Sequence, residues 1–343
     1  MFMIPKVHVG KDLLQEVKEF CQKLGQRVVV ITDPFLEHSY GKKLAETLSG
    51  ELLVTLSGEK AKSQETVGEI ITKLLERGLG RDTVLIALGG GVTTDLVGFI
   101  ASIYMRGVDL ILMPTTLLAM VDASIGGKTG INTPFGKNLV GTIYPPKAVF
   151  TDLNFLSTLP KNQWVNGLAE ILKMGLIRNH SLWNLAQKSG KDLELIEMAV
   201  KEKIAVVEED PNEQSLRRIL NFGHTIAHGL EAVADYSIEH GEAVAIGSLV
   251  EAHLSKELGY LSESEFSEIE KGYRLFSLKL PKSYDRDKFL EALSHDKKKA
   301  KGKLRFVLID RIGHAIEFEK NYCRAVSLDE LEMSLNFMEI TYG

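Results

Sequence analysis

The sequence predicts an α/β domain built on a parallel sheet, followed by a mostly helical domain, and three observations carry that expectation. Through roughly the first 158 residues, short apolar runs ended by turn residues alternate with stretches of helical periodicity. From Gln163 onward strand-like runs nearly vanish, and apolar residues recur at three- and four-residue spacing. At 343 residues the chain also exceeds the roughly 250–300 residues at which one core stops growing.

The elements follow in order. Residues 28–31 (Val-Val-Val-Ile) read as a buried strand stopped by Thr32-Asp33-Pro34, and 51–56 as another, stopped by Ser57-Gly58. Residues 63–77 have helical periodicity, with Ser63 and Thr66 placed for a cap. Residues 84–88 form a third strand that runs into Gly89-Gly90-Gly91, and 94–104 the helix after it. Residues 110–113 are a fourth strand, closed by Pro114. Beyond the boundary, Leu168, Ile171 and Leu172, then Leu193, Ile196, Ala199 and Val200, then Ile204 and Val207 keep the helical period. Residues 304–309 are the one strand-like run there, and the lysine cluster 297–303 is expected in a loop.

Composition narrows the functional classes. The hydrophobic and charged fractions, 44% and 25%, are those of a soluble globular protein. A net charge of −5 with mixed signs leaves no basic stripe for nucleic acid and no membrane-seeking face. No apolar run approaches the ~20 residues that span a bilayer, and the first residues lack a signal-peptide pattern. Cys21 and Cys323 stand too far apart in sequence for a metal motif, so a reduced, cytoplasmic protein is expected.

The chemistry concentrates between Gly89 and Asn138. A triple glycine directly after a strand lets backbone amides approach a phosphate closely. It is neither the G-x-G-x-x-G fingerprint nor part of a Walker loop, since Asp122 stands where the first glycine before Lys128-Thr129 belongs. Glycine-flanked Lys128 and Lys137, expected in loops, suit an anionic ligand, and Asp95, Asp122, Thr115, Thr116, Asn132 and Asn138 complete a polar stretch. In the helical half, His224 and His228 lie four apart on one helical face, and His240 follows. Glu170 and Lys173 add a carboxylate and a cation, but spacing alone does not choose three metal ligands or exclude Asp210 and Glu213. Arg217 and Arg218 precede the histidine helix, and a guanidinium fork suits a carboxylate. Residues alone therefore indicate a two-domain enzyme that takes a nucleotide, a metal and an anionic substrate.

The same motifs, in the same order, resemble the 3-dehydroquinate synthases, a family of sugar phosphate cyclases. The matching segments are Gly89-Gly-Gly-Val-x-x-Asp95, Arg106-Gly107, Pro114-Thr-Thr-Leu-Leu-Ala-Met-Val-Asp122, Ser124-Ile-Gly-Gly-Lys-Thr129 and Gly136-Lys-Asn138. They continue with Leu156-x-Thr-Leu-Pro160, Gly167-x-Ala-Glu170-x-x-Lys173, Leu220-Asn-Phe-Gly-His-Thr225 and His240-Gly-Glu-Ala-Val244. The likeness is dense from about residue 55 to 250 and looser at the ends.

The resemblance implies a Rossmann-like NAD-binding domain over residues 1–158 and a mainly helical domain for metal and substrate over 159–343. It implies conversion of 3-deoxy-D-arabino-heptulosonate 7-phosphate to 3-dehydroquinate and phosphate, the step that serves aromatic amino acid synthesis through the shikimate pathway. The cofactors implied are NAD and a divalent zinc or cobalt ion, in a homodimer. Glu170, His224 and His240 would hold the metal. NAD would take Asp33, Glu59, Lys62, Gly89, Gly90, Gly91, Val92, Asp95, Thr115, Thr116, Asp122, Lys128, Lys137, Phe155, Leu156, Ser157 and Thr158. Lys128, Lys173, Lys203, Arg217 and Asn221 would surround the substrate, with Asn138, His228 and one of Lys297–Lys299 at its phosphate and Arg106 reaching a partner subunit. Departures from the family pattern are Ser215 ahead of Leu-Arg217, where glycine is common, and Ala227 for a usual glycine.

Overall fold

In the computed structural model, the described residues are 5–188, 190, 192–234, 237–299 and 304–343, with side chains of 295–299 excepted. The chain separates into two compact units, Met1–Trp164 and Val165–Gly343.

The first unit is a six-stranded parallel sheet. Its strands are β1 (Lys6–Gly10), β2 (Arg27–Thr32), β3 (Glu51–Val54), β4 (Thr83–Gly89), β5 (Asp109–Pro114) and, after a hairpin of β6 (Lys128–Thr133) and β7 (Gly136–Ile143), β8 (Ala148–Asp152). They lie in the order β1-β8-β5-β4-β2-β3. Strand β4 is buried along its whole length, as a central parallel strand must be when both faces are covered. Leu85, Ala87, Leu110, Leu112 and Val149 pack against Ile70, Leu74, Val97 and Ile100 of the covering helices. Ser63 caps the helix Gln64–Glu76 by accepting the Thr66 N–H, so the cap legible in sequence is formed.

The order reverses beside β2, since β3 lies on one side of it and β4, then β5, on the other. In such sheets ligands bind outside the carboxyl ends of the strands at the reversal. Those ends carry Asp33 after β2 and the triple glycine at the end of β4.

Several sequence expectations are corrected here. The edge strand β1 and its buried neighbour β8 lack a long apolar run and were not anticipated. The helix after β4 begins at Gly91, three residues earlier than expected, because glycines can still close its first turn. Lys128 and Lys137 lie on the antiparallel strands β6 and β7, not in loops. Alternation there was masked by glycines at 130, 136 and 141, of which those at 130 and 141 let the two backbones approach closely.

The second unit is mostly helical. Every residue from Asn166 to Ile177 on the helix Lys161–Arg178 is buried, as expected of a helix enclosed on all sides. The helices His224–Val233 and His240–Glu257 pack on one another through Ile226, Leu230, Val244 and Val250. The run expected at 304–309 splits into two short strands, Leu304–Phe306 and Ile309–Arg311, each pairing with its own partner. Lys297–Lys299 end the helix Arg286–Lys299 instead of lying in a loop; their side chains, and residues 300–303, fall outside the described residues.

Candidate metal centre and cofactor site

Glu170 comes from the enclosed helix Lys161–Arg178, and His224 and His240 each open a helix of their own. The three donor atoms lie within 4.8 Å of one another. Glu170 Oε1 stands 3.5 Å from His224 Nε2 and 3.3 Å from His240 Nε2. The opposite ring nitrogens are engaged elsewhere: His224 Nδ1 with the Phe222 carbonyl at 3.1 Å, and His240 Nδ1 with Glu231 Oε1 at 3.3 Å. Donation through Nδ1–H leaves both Nε2 lone pairs aimed at one point, the orientation a metal-ligating histidine requires. One carboxylate and two imidazoles fit a catalytic divalent ion such as zinc, which takes three protein ligands and one substrate oxygen.

The three donors are held in different electrostatic states. Burial works against the Glu170 charge, yet Lys173, His240 and His224 hold its carboxyl well below the usual range. Lys173 is itself buried, ion-pairs with Glu170 and donates to the Leu220 carbonyl at 2.8 Å. Burial and the Lys173 charge push His224 well below an ordinary histidine. His240 rises to about 10, because bonds to Glu170 and Glu231 outweigh its burial.

His228 is one turn beyond His224, with ring centroids 5.6 Å apart in an edge-on arrangement, and lies outside the donor set. Asp210 and Glu213, open as ligands from spacing, have other work. Asp210 accepts the N–H groups of Gln214, Ser215 and Arg217 at 2.9, 2.7 and 3.1 Å, and Glu213 accepts from Asn221 Nδ2 at 3.0 Å. Burial opposes the Asp210 charge, but those three N–H groups and Arg217 keep its carboxyl below the usual range. Arg217 is buried in the turn Leu216–Asn221, where Nη1 donates to the Pro211 carbonyl at 2.8 Å. Lys203 is buried, whereas Asn221 and His228 are exposed. Sequence reasoning missed Glu231; it lies seven residues after His224 on one helix, and that spacing was the available signal.

In the first unit the cofactor candidates gather around the ends of β2, β4 and β5. The Asp33 carboxylate caps the next turn, accepting from Phe35 and Leu36 N–H at 2.8 and 3.2 Å. A Cβ on Gly89 would sit 2.4 Å from Thr93 Oγ1, so glycine is required there by close packing of strand and helix. Gly90 precedes the helix Gly91–Ile103 and has no side chain to cap it, which leaves its first N–H groups for an anion. Half-buried Val92 lies in that first turn. The Thr115 N–H donates to the Gly89 carbonyl at 2.9 Å, and Thr116 Oγ1 accepts from Ala119 N–H. Asp122 lies in the short turn Ala119–Ala123.

Lys62, only 4% exposed, donates to Asp95 Oδ2 at 2.7 Å and Asn138 Oδ1 at 2.5 Å. Burial raises the Asp95 carboxyl while Lys62 pulls it back. Glu59 Oε1 accepts from Asn132 Nδ2 at 2.8 Å. Phe155, Leu156 and Ser157 lie in the turn Leu153–Ser157, and Tyr40 packs edge-on to Phe155 and meets the Thr158 hydroxyl at 3.4 Å. Lys128 is exposed and Lys137 half-buried. Exposed Arg106 stands between Met105 and Gly107 in three successive left-handed conformations, φ 50°, 66° and 114°. Two non-glycine residues in that region store strain, and such strain gathers at functional positions.

A family model for the 3-dehydroquinate synthase N-terminal region matches residues 52–166, and one for the C-terminal region matches 167–299. The 3-dehydroquinate synthase of Alkaliphilus metalliredigens is 42% identical over 316 residues, covering 88% of each chain. Among solved structures, the 2-epi-5-epi-valiolone synthase of Streptomyces hygroscopicus, with NAD+ and Zn2+ bound, is 31% identical. It superposes with a TM-score of 0.87 over 99% of this chain and 98% of its own. A 2-deoxy-scyllo-inosose synthase complexed with carbaglucose-6-phosphate, NAD+ and Co2+ is 27% identical, with TM-score 0.87 over 97% and 96% of the two chains.

Proposed function

The chain belongs to the 3-dehydroquinate synthase family, and on that premise we propose that it converts 3-deoxy-D-arabino-heptulosonate 7-phosphate to 3-dehydroquinate and inorganic phosphate, with NAD and a divalent zinc or cobalt ion. The observation that carries this reading is the Glu170, His224 and His240 donor set with both outer ring nitrogens already engaged. When bound, the metal polarises a substrate hydroxyl while NAD takes up hydride and returns it within one turnover.

The chain's own residues bind, orient and neutralise. The Gly91–Ile103 helix start would take the pyrophosphate, with Asp33 near the adenosine and Glu59, Thr115, Thr116, Asp122 and the 155–158 turn as further cofactor contacts. Lys173 stays beside Glu170, steadying the carboxylate and presenting positive charge where a substrate oxyanion develops. In the second unit Arg217 and Lys203 suit the substrate carboxylate, and Asn221 is a further substrate residue. Each unit has its own candidate for the phosphate, Asn138 in the first and His228 in the second, and the phosphate would serve as its own base during elimination. Ring opening and aldol closure then depend on holding the reacting carbons together, a positional effect worth many kcal/mol.

Phosphate release from the heptulosonate phosphate, followed with and without a chelator, tests the assignment. Chelator-sensitive release with no build-up of NADH is expected; stoichiometric NADH would transfer the chain to the polyol dehydrogenases.

We also assign a homodimer and a cytoplasmic location. Phe135, Leu139, Val140 and Ile143 expose apolar surface on the β6–β7 hairpin, Phe135 at 92%, and a second copy is the occupant that also gives exposed Arg106 a site to complete. Sedimentation equilibrium at micromolar concentration should return twice the chain mass, and a monomer there would remove the dimer. No helix among the described residues is long and apolar enough to cross a membrane.

A further inference from the structure

We propose that Asn132 is a positioning residue whose two amide ends tie the phosphate-side Asn138 to the cofactor-side Glu59. The inference rests on the roles proposed above for those two residues. Asn132 lies on β6, and its backbone N–H donates to the Lys62 carbonyl at 2.8 Å. Its Oδ1 accepts the Asn138 N–H at 3.0 Å, and its Nδ2 donates to Glu59 Oε1 at 2.8 Å. Lys62 closes the ring by donating from Nζ to Asn138 Oδ1 and Asp95 Oδ2.

The arrangement explains how Asn138 keeps an unfavourable backbone. Its φ of 55° lies in the left-handed region, which asparagine enters more readily than other non-glycine residues but still at a cost that local hydrogen bonds offset. The β6–β7 ladder does not impose it, because the register shifts between Ile131 and Thr133. The Asn138 N–H bonds instead to the Asn132 side chain, while Lys62 holds the Asn138 side chain from the other direction. Asparagine is the residue this geometry needs. One end must accept an N–H and the other must donate to a carboxylate, and only a primary amide of this length offers both. Aspartate would keep the first bond and set two carboxylates against each other at the second.

The test uses the full-length protein and four variants: Asn132→Asp, Asn132→Ala, Asn138→Gly and Asn132→Ala/Asn138→Gly. Calorimetric titration gives affinity for NAD and, separately, for inorganic phosphate; steady-state kinetics give KM and kcat for the heptulosonate phosphate. Asn132→Asp should weaken NAD about tenfold and leave phosphate within about twofold, because only the Glu59 contact is reversed. Asn132→Ala should weaken both about fivefold to tenfold, raising KM while kcat stays within about threefold. Glycine accepts the left-handed φ without help, so in the Asn138→Gly background Asn132→Ala should change phosphate affinity by less than about twofold. Equal losses for both ligands in the isosteric Asn132→Asp variant would overturn the proposal. So would multiplying losses of phosphate affinity in the double variant, or wild-type affinities in Asn132→Ala. The two titrations do not depend on turnover, so failure of the wild type to release phosphate would sink the proposed reaction and leave the Asn132 result readable.

Discussion

Replacing His224 with alanine should strip the protein of its metal and lower phosphate release by on the order of a thousandfold, whereas His228→Ala should keep the metal and lose mainly phosphate-dependent rate. The two side chains share one helical face, and from spacing alone they form the more natural pair. The tertiary arrangement divides them. His224 Nε2 stands 3.5 Å from Glu170 Oε1 with Nδ1 engaged by a carbonyl, whereas exposed His228 lies outside the donor set. Losing one of three protein ligands removes the charge stabilisation a bound divalent ion supplies, several kcal/mol in catalysis. Elemental analysis of the two purified variants, beside their phosphate-release rates, decides the matter. Equal metal loss in both would restore the pair read from helical spacing and displace His240 from the centre.

Arg217→Ala should lower kcat/KM for the heptulosonate phosphate roughly tenfold to hundredfold, the loss of a charge-assisted contact of about 1.5–3 kcal/mol. Lysine at the same position should restore only part of it, because a point charge does not reproduce the planar fork. Arg218→Ala should be nearly silent. The segment Leu216–Asn221 is a 3-10 turn, which separates successive side chains by about 120° instead of the 100° of an α-helix. Arg217 is buried there, with its backbone N–H held by Asp210 Oδ2 at 3.1 Å, while half-buried Arg218 donates to the Glu213 carbonyl at 3.3 Å. Steady-state kinetics on the three variants test the pattern. Normal turnover in Arg217→Ala with collapse in Arg218→Ala would shift the carboxylate site by one residue. Silence in both would favour a cyclase acting on a sugar phosphate without a carboxylate.

Both predictions depend on features that a linear reading handles unevenly. The central strands were legible because residues 28–31, 84–88 and 110–113 are apolar runs closed by turn residues, which is what burial on both faces demands. The edge strand β1 and the β6–β7 hairpin were not, since partly exposed or glycine-rich strands carry little periodicity. The helical second half was plain from its spacing, and the run at 304–309 announced two of the C-terminal short strands, but their partners His314–Ala315 and Arg324–Val326 carry no such run.

The sequence by itself determined the class of fold, the order of its elements and the membership of a cofactor- and metal-using family, because these follow from local periodicity and from motifs read along the chain. It also offered every type of residue the chemistry needs. Which of them converge was decided only by tertiary structure. Glu170 and His240 are 70 positions apart and meet at 3.3 Å, while of His224 and His228, four apart, only His224 joins the donor set. Asn132 and Glu59 likewise meet at 2.8 Å across 73 positions. Hydrogen bonds and ion pairs act over about 3 Å in space. Sequence separation carries no information about that distance beyond a helical turn or a strand pair, so convergence had to wait for the packed chain.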